Sequence, residues 1–144
     1  MAEAHKSRYE GCGYACIWDL IKTKLKIMYT ELKILINILK KQANGKLNAK
    51  KNRYLQIEIE KEMKALMQKR NKEYKGNISE KTIRKLIGAI REEGLITGLC
   101  ASSNRGYWVS SDKMEIMKSG QSLIKRANKI KKRGIALLEQ AQSI

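Results

Sequence analysis

Lys81, Thr82, Arg84 and Lys85 crowd one short segment of this chain, and Ser103, Asn104 and Arg105 crowd another downstream. Their shared chemistry is recognition of anions. Lys and Arg neutralise phosphates, an Arg fork can take a guanine edge bidentately, and hydroxyl and amide groups donate to phosphate oxygens. Lys69 and Arg70 add two cations just upstream. Catalysis is harder to build. The chain has one His and lacks both the G-x-x-x-x-G-K spacing and a Gly-rich cofactor loop. Its acids sit mostly among basic neighbours and form no isolated carboxylate pair. The sequence therefore implies no catalytic residue, no enzyme and no cofactor.

Cys12, Cys16 and Cys100 with His5 could be assembled into a four-ligand zinc site. The C-x3-C spacing departs from the usual C-x2-C pair, and the remaining ligand lies far along the chain. No metal is expected, and Cys100 reads as filler on the buried face of a strand. An odd number of cysteines fits a reducing compartment better than a disulfide framework.

The charge balance points the same way as the cation clusters. Lys and Arg number 31 against 14 acids in 144 residues, a net charge of +17. Residues 1–20 carry −1, residues 21–75 carry +11 and residues 76–144 carry +7. Such an excess favours a polyanionic partner, either nucleic acid or an anionic membrane surface. Basic residues punctuate every apolar run, so no membrane span is expected. The N-terminus lacks the layout of a signal peptide, and a cytoplasmic protein is expected, in the host cytoplasm if phage-encoded.

With no Pro to break helices, a mainly helical fold follows easily. Residues 1–16 are small and polar and read as a flexible N-terminus. Ile21, Leu25, Met28, Leu32, Leu35 and Leu39 then form one stripe on a long helix that Asn44-Gly45 ends. Lys46 to Lys51 is a basic connector. Tyr54 to Met67 reads as a second helix with Ile59, Met63, Leu66 and Met67 inward. Ser79 is an N-cap candidate for a third helix, with Ile78 as a staple and Ile83, Leu86, Ile87 and Ile90 as its buried side. Gly94 stops it. Leu95 to Cys100 and Tyr107 to Ser110 read as two short strands around a polar loop. Tyr107 and Trp108 alternate, so one should face the core and one the surface.

The order of these parts, a basic helix, REEGL, an apolar strand and the Ser-Ser-Asn-Arg-Gly-Tyr-Trp hairpin, resembles the winged helix-turn-helix group. It is similar to DNA-binding domains of phage and mobile-element proteins and of biotin-repressor-type regulators. The resemblance covers residues 55–110 well. It implies a mainly α fold with a small β-hairpin wing and long N- and C-terminal helices, in which residues 17–111 form the DNA-binding domain. It puts the recognition positions at Lys81, Thr82, Arg84 and Lys85, and the wing position at Arg105. Gln68 to Asn77 departs from the group, which has a short turn there, and leaves Lys69, Arg70 and Lys72 as extra phosphate contacts.

Residues 112–144 read as one further helix, capped by Ser111. Ile116, Gly120, Leu123, Ala127, Ile130, Gly134, Leu137 and Ala141 follow a four-three heptad in which large residues alternate with Gly or Ala. Two readings are open: the helix packs on the Ile21–Leu39 helix of its own chain, or the seam makes a homodimer. Lys125, Arg126, Lys129, Lys131, Lys132 and Arg133 lie away from the seam and suit a nucleic-acid footprint better than a membrane surface. The expected function is sequence-specific binding of double-stranded DNA, in transcription or replication control of a phage or mobile element. The alternatives are a protein-interaction module using the heptad helix, and an RNA- or ribosome-associated basic protein.

Overall fold

The computed structural model describes residues 14–74, 76 and 78–144, with side chains described from Met28 onward. Four α-helices and one β-hairpin make up this part. Helix α1 spans Tyr14–Gln42, α2 Asn52–Lys69, α3 Glu80–Glu92 and α4 Lys113–Gln142. Strands β1 (Leu99–Ser102) and β2 (Gly106–Val109) pair antiparallel, Cys100 opposite Trp108 and Ala101 opposite Tyr107. The mainly helical class with a small hairpin is as expected. His5 and Cys12, with most of the segment expected to be flexible, lie outside the described residues. Residues 14–16 of that segment form the first turn of α1.

The core lies between α1, α2, α3 and one face of the hairpin. Leu35 and Leu39 of α1, Leu55 and Ile59 of α2, and Ile83 and Ile90 of α3 are all fully buried. Their three- and four-residue spacing on each helix is what lets each bury one stripe. The described part of the α1 stripe thins toward Met28, and the side chains of Ile21 and Leu25 lie outside the described residues. Leu32 is half-buried, but Met28 is 41% exposed.

Local chemistry sets the helix ends. At the end of α2, Asn71 takes φ 52. The Lys72 N–H donates to the Met67 carbonyl at 2.9 Å and the Asn71 N–H to that of Gln68 at 3.1 Å. This left-handed cap closes the last turn and turns the chain sharply. The connector then sends Tyr74 back into the core, where its hydroxyl donates to Glu31. Within the long segment after α2's expected end, Gln68 and Lys69 thus extend the helix and Tyr74 acts as a tether. Ser79 caps α3, its Oγ accepting from the Thr82 N–H at 3.2 Å. Asp112, and not Ser111, caps α4, accepting from the Met114 N–H at 3.0 Å.

The hairpin starts later than expected. Leu95 to Gly98 form turns, and the strand begins at Leu99. Gly98 explains the shift. It takes φ +85, and a Cβ there would sit 2.1 Å from the Ser110 carbonyl oxygen. Both hairpin faces are covered. Trp108 and Cys100 point to the start of α4, where the Trp108 indole donates to the Glu115 carboxylate. Tyr107 packs on the helical core from the other face.

Candidate nucleic-acid interface

The segment between α1 and α2 decides how the site is built. Lys50 and Tyr107 exchange two backbone hydrogen bonds of 2.8 Å, and Val109 bonds to Ala43 and Gly45. The basic connector is thus stitched to the open edge of β2, which fixes the start of α2 beside the hairpin. At Gly106, φ +94, a Cβ would meet the Lys50 carbonyl oxygen at 2.2 Å, so the two backbones approach too closely for any side chain.

Between these elements lies a groove of about 570 Å³. One wall is α3, with Glu80, Arg84, Ile87, Gly88 and Arg91. The hairpin supplies Ala101 to Ser103, Gly106 and Tyr107, and the start of α2 supplies Lys51, Asn52 and Arg53. Helix α4 closes it with Ser119, Ser122, Leu123 and Arg126. Lys51, Arg53, Arg84, Arg91 and Arg126 therefore face one carboxylate, that of Glu80. Helix α2 begins with no side-chain cap and no acid in its first turn. Its positive end adds to the field of the cations. The Asn52 Oδ1, on the same wall, is buried with no hydrogen-bond partner.

Individual cations are held differently. Arg84 pairs with Glu80 at 3.2 Å, one turn away, with both side chains mostly exposed. Such a pair contributes about 0–1 kcal/mol and yields readily to a phosphate. Arg91 is half-buried, and its Nε–H donates to the Leu99 carbonyl at 3.1 Å. Burial pushes its guanidinium down from the ordinary value, while Tyr107 and Cys100 push it up. It remains a cation and pins α3 to the base of the hairpin.

The residues singled out from sequence separate into groups. Arg84 and Ser103 line the groove. Lys81 and Lys85 are exposed on α3, on the side away from Ile83 and Ile90. Thr82 is turned back, its hydroxyl 3.0 Å from that of Ser79. Asn104 and Arg105 stand exposed at the hairpin tip, where the Arg105 N–H donates to the Ser102 Oγ. Lys69 and Arg70 are exposed at the far end of α2, about 25 Å along its axis from Asn52. They belong to a different surface. Arg126 belongs to the cluster of the last helix expected to extend a nucleic-acid footprint, whereas Lys51, Arg53 and Arg91 carry no such expectation from the sequence. The Lys50-Lys51-x-Arg53 run was visible as charge, but its place beside the hairpin depends on a pairing between distant segments.

Cys100 is fully buried and its thiol donates to the Glu115 carbonyl. Burial pushes the thiol up, away from the thiolate that metal binding or nucleophilic attack needs. Among the described residues no group of His, Cys, Asp and Glu is placed to hold a metal ion, and no helix is long and apolar enough to cross a membrane. Comparison with protein-family models, curated proteins and solved structures gives no match to this chain.

Proposed function

We propose that this chain is a winged helix-turn-helix protein that binds double-stranded DNA. The observation that carries the reading is the convergence of five cations, from the residue before α2 and from α2, α3 and α4, on a groove walled by a basic helix and a hairpin. In this reading α3 enters the major groove with Lys81, Arg84 and Lys85 toward base edges and phosphates. The hairpin acts as the wing, with Asn104 and Arg105 reaching the flanking backbone or minor groove. Lys51, Arg53 and Arg126 hold phosphates beside it. Control of transcription or replication in a phage or mobile element is the biological use that the sequence resemblance suggests.

Titration of labelled duplex DNA at a series of salt concentrations tests the reading. Each neutralised phosphate lowers the log–log slope by about 0.9, so several contacts give a steep fall in affinity. Replacing Arg84 and Lys85 by Ala should weaken binding and flatten that slope. Selection from a random duplex pool should return an enriched sequence. No duplex binding at low salt, or equal binding by the double variant, removes α3 as the reading helix. Tighter binding to structured RNA than to duplex DNA would replace the DNA reading with an RNA one.

A further inference from the structure

Helix α4 is covered only at its start. Glu115, Ile116 and Ser119 are half-buried, and Ile116 reaches the Gly98 turn. From Gly120 to Ile144 every residue is exposed. The helix does not pack on the described residues of α1. Leu123, Ile124, Ile130, Leu137 and Leu138 share one broad side of it and are 41–68% exposed. The opposite side is basic, with Lys118, Lys125, Lys129 and Lys132. An amphipathic helix draws most of its stability from burying its apolar side, and the described residues cover little of that side.

The spacing indicates the occupant. Gly120, Ala127 and Gly134 recur every seven residues, and Leu123, Ile130 and Leu137 do so three residues later. When the segment is laid against itself in reverse, each large residue meets a small one. Gly120 faces Leu137, Leu123 faces Gly134, and Ala127 faces Ile130. A parallel pair would instead set small against small and large against large, so that voids alternate with crowded layers. The antiparallel pair has one large and one small residue in every layer and a constant helix separation.

We infer that a second copy of this chain covers α4, helix against helix and antiparallel, with the two-fold axis between Ala127 and Ile130. Ile116, already seated on the Gly98 turn, falls outside the seam, which starts at Gly120. At roughly 100 Å² for each Leu or Ile side chain, five per copy supply about 1,000 Å². The stems of Arg126, Lys131 and Arg133 bring the total to the range of about 1,200 Å² or more that specific pairs bury. A lipid surface fits less well. Gly120 and Gly134 weaken a helix and add nothing to membrane insertion, whereas both are needed for close approach of a second helix.

The register also sets Arg126 beside Arg133 of the second copy. These like charges repel at low salt, so added salt should tighten the dimer. Phosphate binding responds in the opposite direction. The proposal therefore stands or falls without DNA, separately from the DNA-binding reading.

The test is sedimentation equilibrium of the full chain without DNA at low and high salt. A mass of twice 16.5 kDa is expected, with association strengthening as salt rises. Ala127→Glu keeps a good helix former but puts two carboxylates at the centre, and should weaken association at least about tenfold. Orientation is read by disulfide formation, with Cys12, Cys16 and Cys100 replaced by Ala. Chains carrying Leu123→Cys should cross-link to chains carrying Gly134→Cys, and Leu123→Cys alone should not. Self-linking of Leu123→Cys, or a dimer unaffected by Ala127→Glu, overturns the antiparallel seam. A chain that stays monomeric at every salt but binds vesicles of anionic phospholipid shows that lipid covers α4, and overturns the proposal too.

Discussion

The Tyr74 hydroxyl donates to the buried Glu31 carboxylate at 2.9 Å, joining residues 43 positions apart. This bond anchors the α2–α3 connector to α1 and so helps to set where α3 begins. Burial pushes the Glu31 carboxyl up, and the Tyr74 bond acts against that by favouring the charged form. Burial also pushes the Tyr74 hydroxyl up, so it stays protonated and remains a donor.

Tyr74→Phe removes the donor and leaves a buried carboxylate without its partner. Stability at neutral pH should fall by about 1–3 kcal/mol. Urea unfolding followed by circular dichroism measures this, and an unchanged midpoint would mean that the bond contributes nothing net.

Glu31 sets a dependence on pH. Its folded value lies above the ordinary 4.5, so the folded state holds its proton to higher pH than the unfolded chain does. Its contribution is most favourable below 4.5 and is lost as pH rises through the raised folded value. Glu31→Gln keeps an acceptor for Tyr74 and carries no charge. The variant should match the wild type at low pH and gain over it as pH rises through that window, levelling off above. Thermal unfolding of both proteins across pH tests this, and a constant difference would remove Glu31 as the titrating group.

Two glycines should respond oppositely to alanine. At Gly98, with φ +85 and the Ser110 carbonyl in the way, Gly98→Ala should cost about 2 kcal/mol or more and disturb the Trp108 environment. Gly88 lies inside α3 with nothing within 4 Å of a Cβ, so Gly88→Ala should stabilise by roughly 0.5–1 kcal/mol. Denaturant midpoints and near-ultraviolet dichroism separate the two.

Cations should differ by position when duplex DNA is titrated. Arg53→Ala should weaken binding and reduce the salt slope by about 0.9, because Arg53 lines the groove. The double variant Lys69→Ala, Arg70→Ala should leave affinity within about twofold, since both residues lie a helix length away. Equal losses in both proteins would move the interface off the groove.

Local pattern carried much of the fold. The Ser79 cap, the Ile83–Ile90 stripe, the third-helix stop near Gly94 and the length of α4 were legible because each depends on neighbours within one or two turns. The hairpin was legible as a hairpin, but its first strand was placed four residues early. Leu95 and Ile96 are apolar enough for a strand, and only the close approach of Gly98 to Ser110 makes that stretch a turn.

The sequence alone determined a basic, mainly helical chain with a hairpin, and it marked Arg84, Ser103 and the heptad of α4. Those features follow from composition and short-range periodicity. Tertiary structure decided the rest. It stitched Lys50 to Tyr107, drew Arg53 and Arg126 to the same groove as Arg84, and sent Lys69 and Arg70 to the far end of α2. It also seated Ile116 on the Gly98 turn, and the described residues leave the helix exposed from Gly120 onward. The reason is physical. Which side chains share a helix stripe is fixed by a 3.6-residue period, but which charges share a groove depends on the packing of segments far apart along the chain.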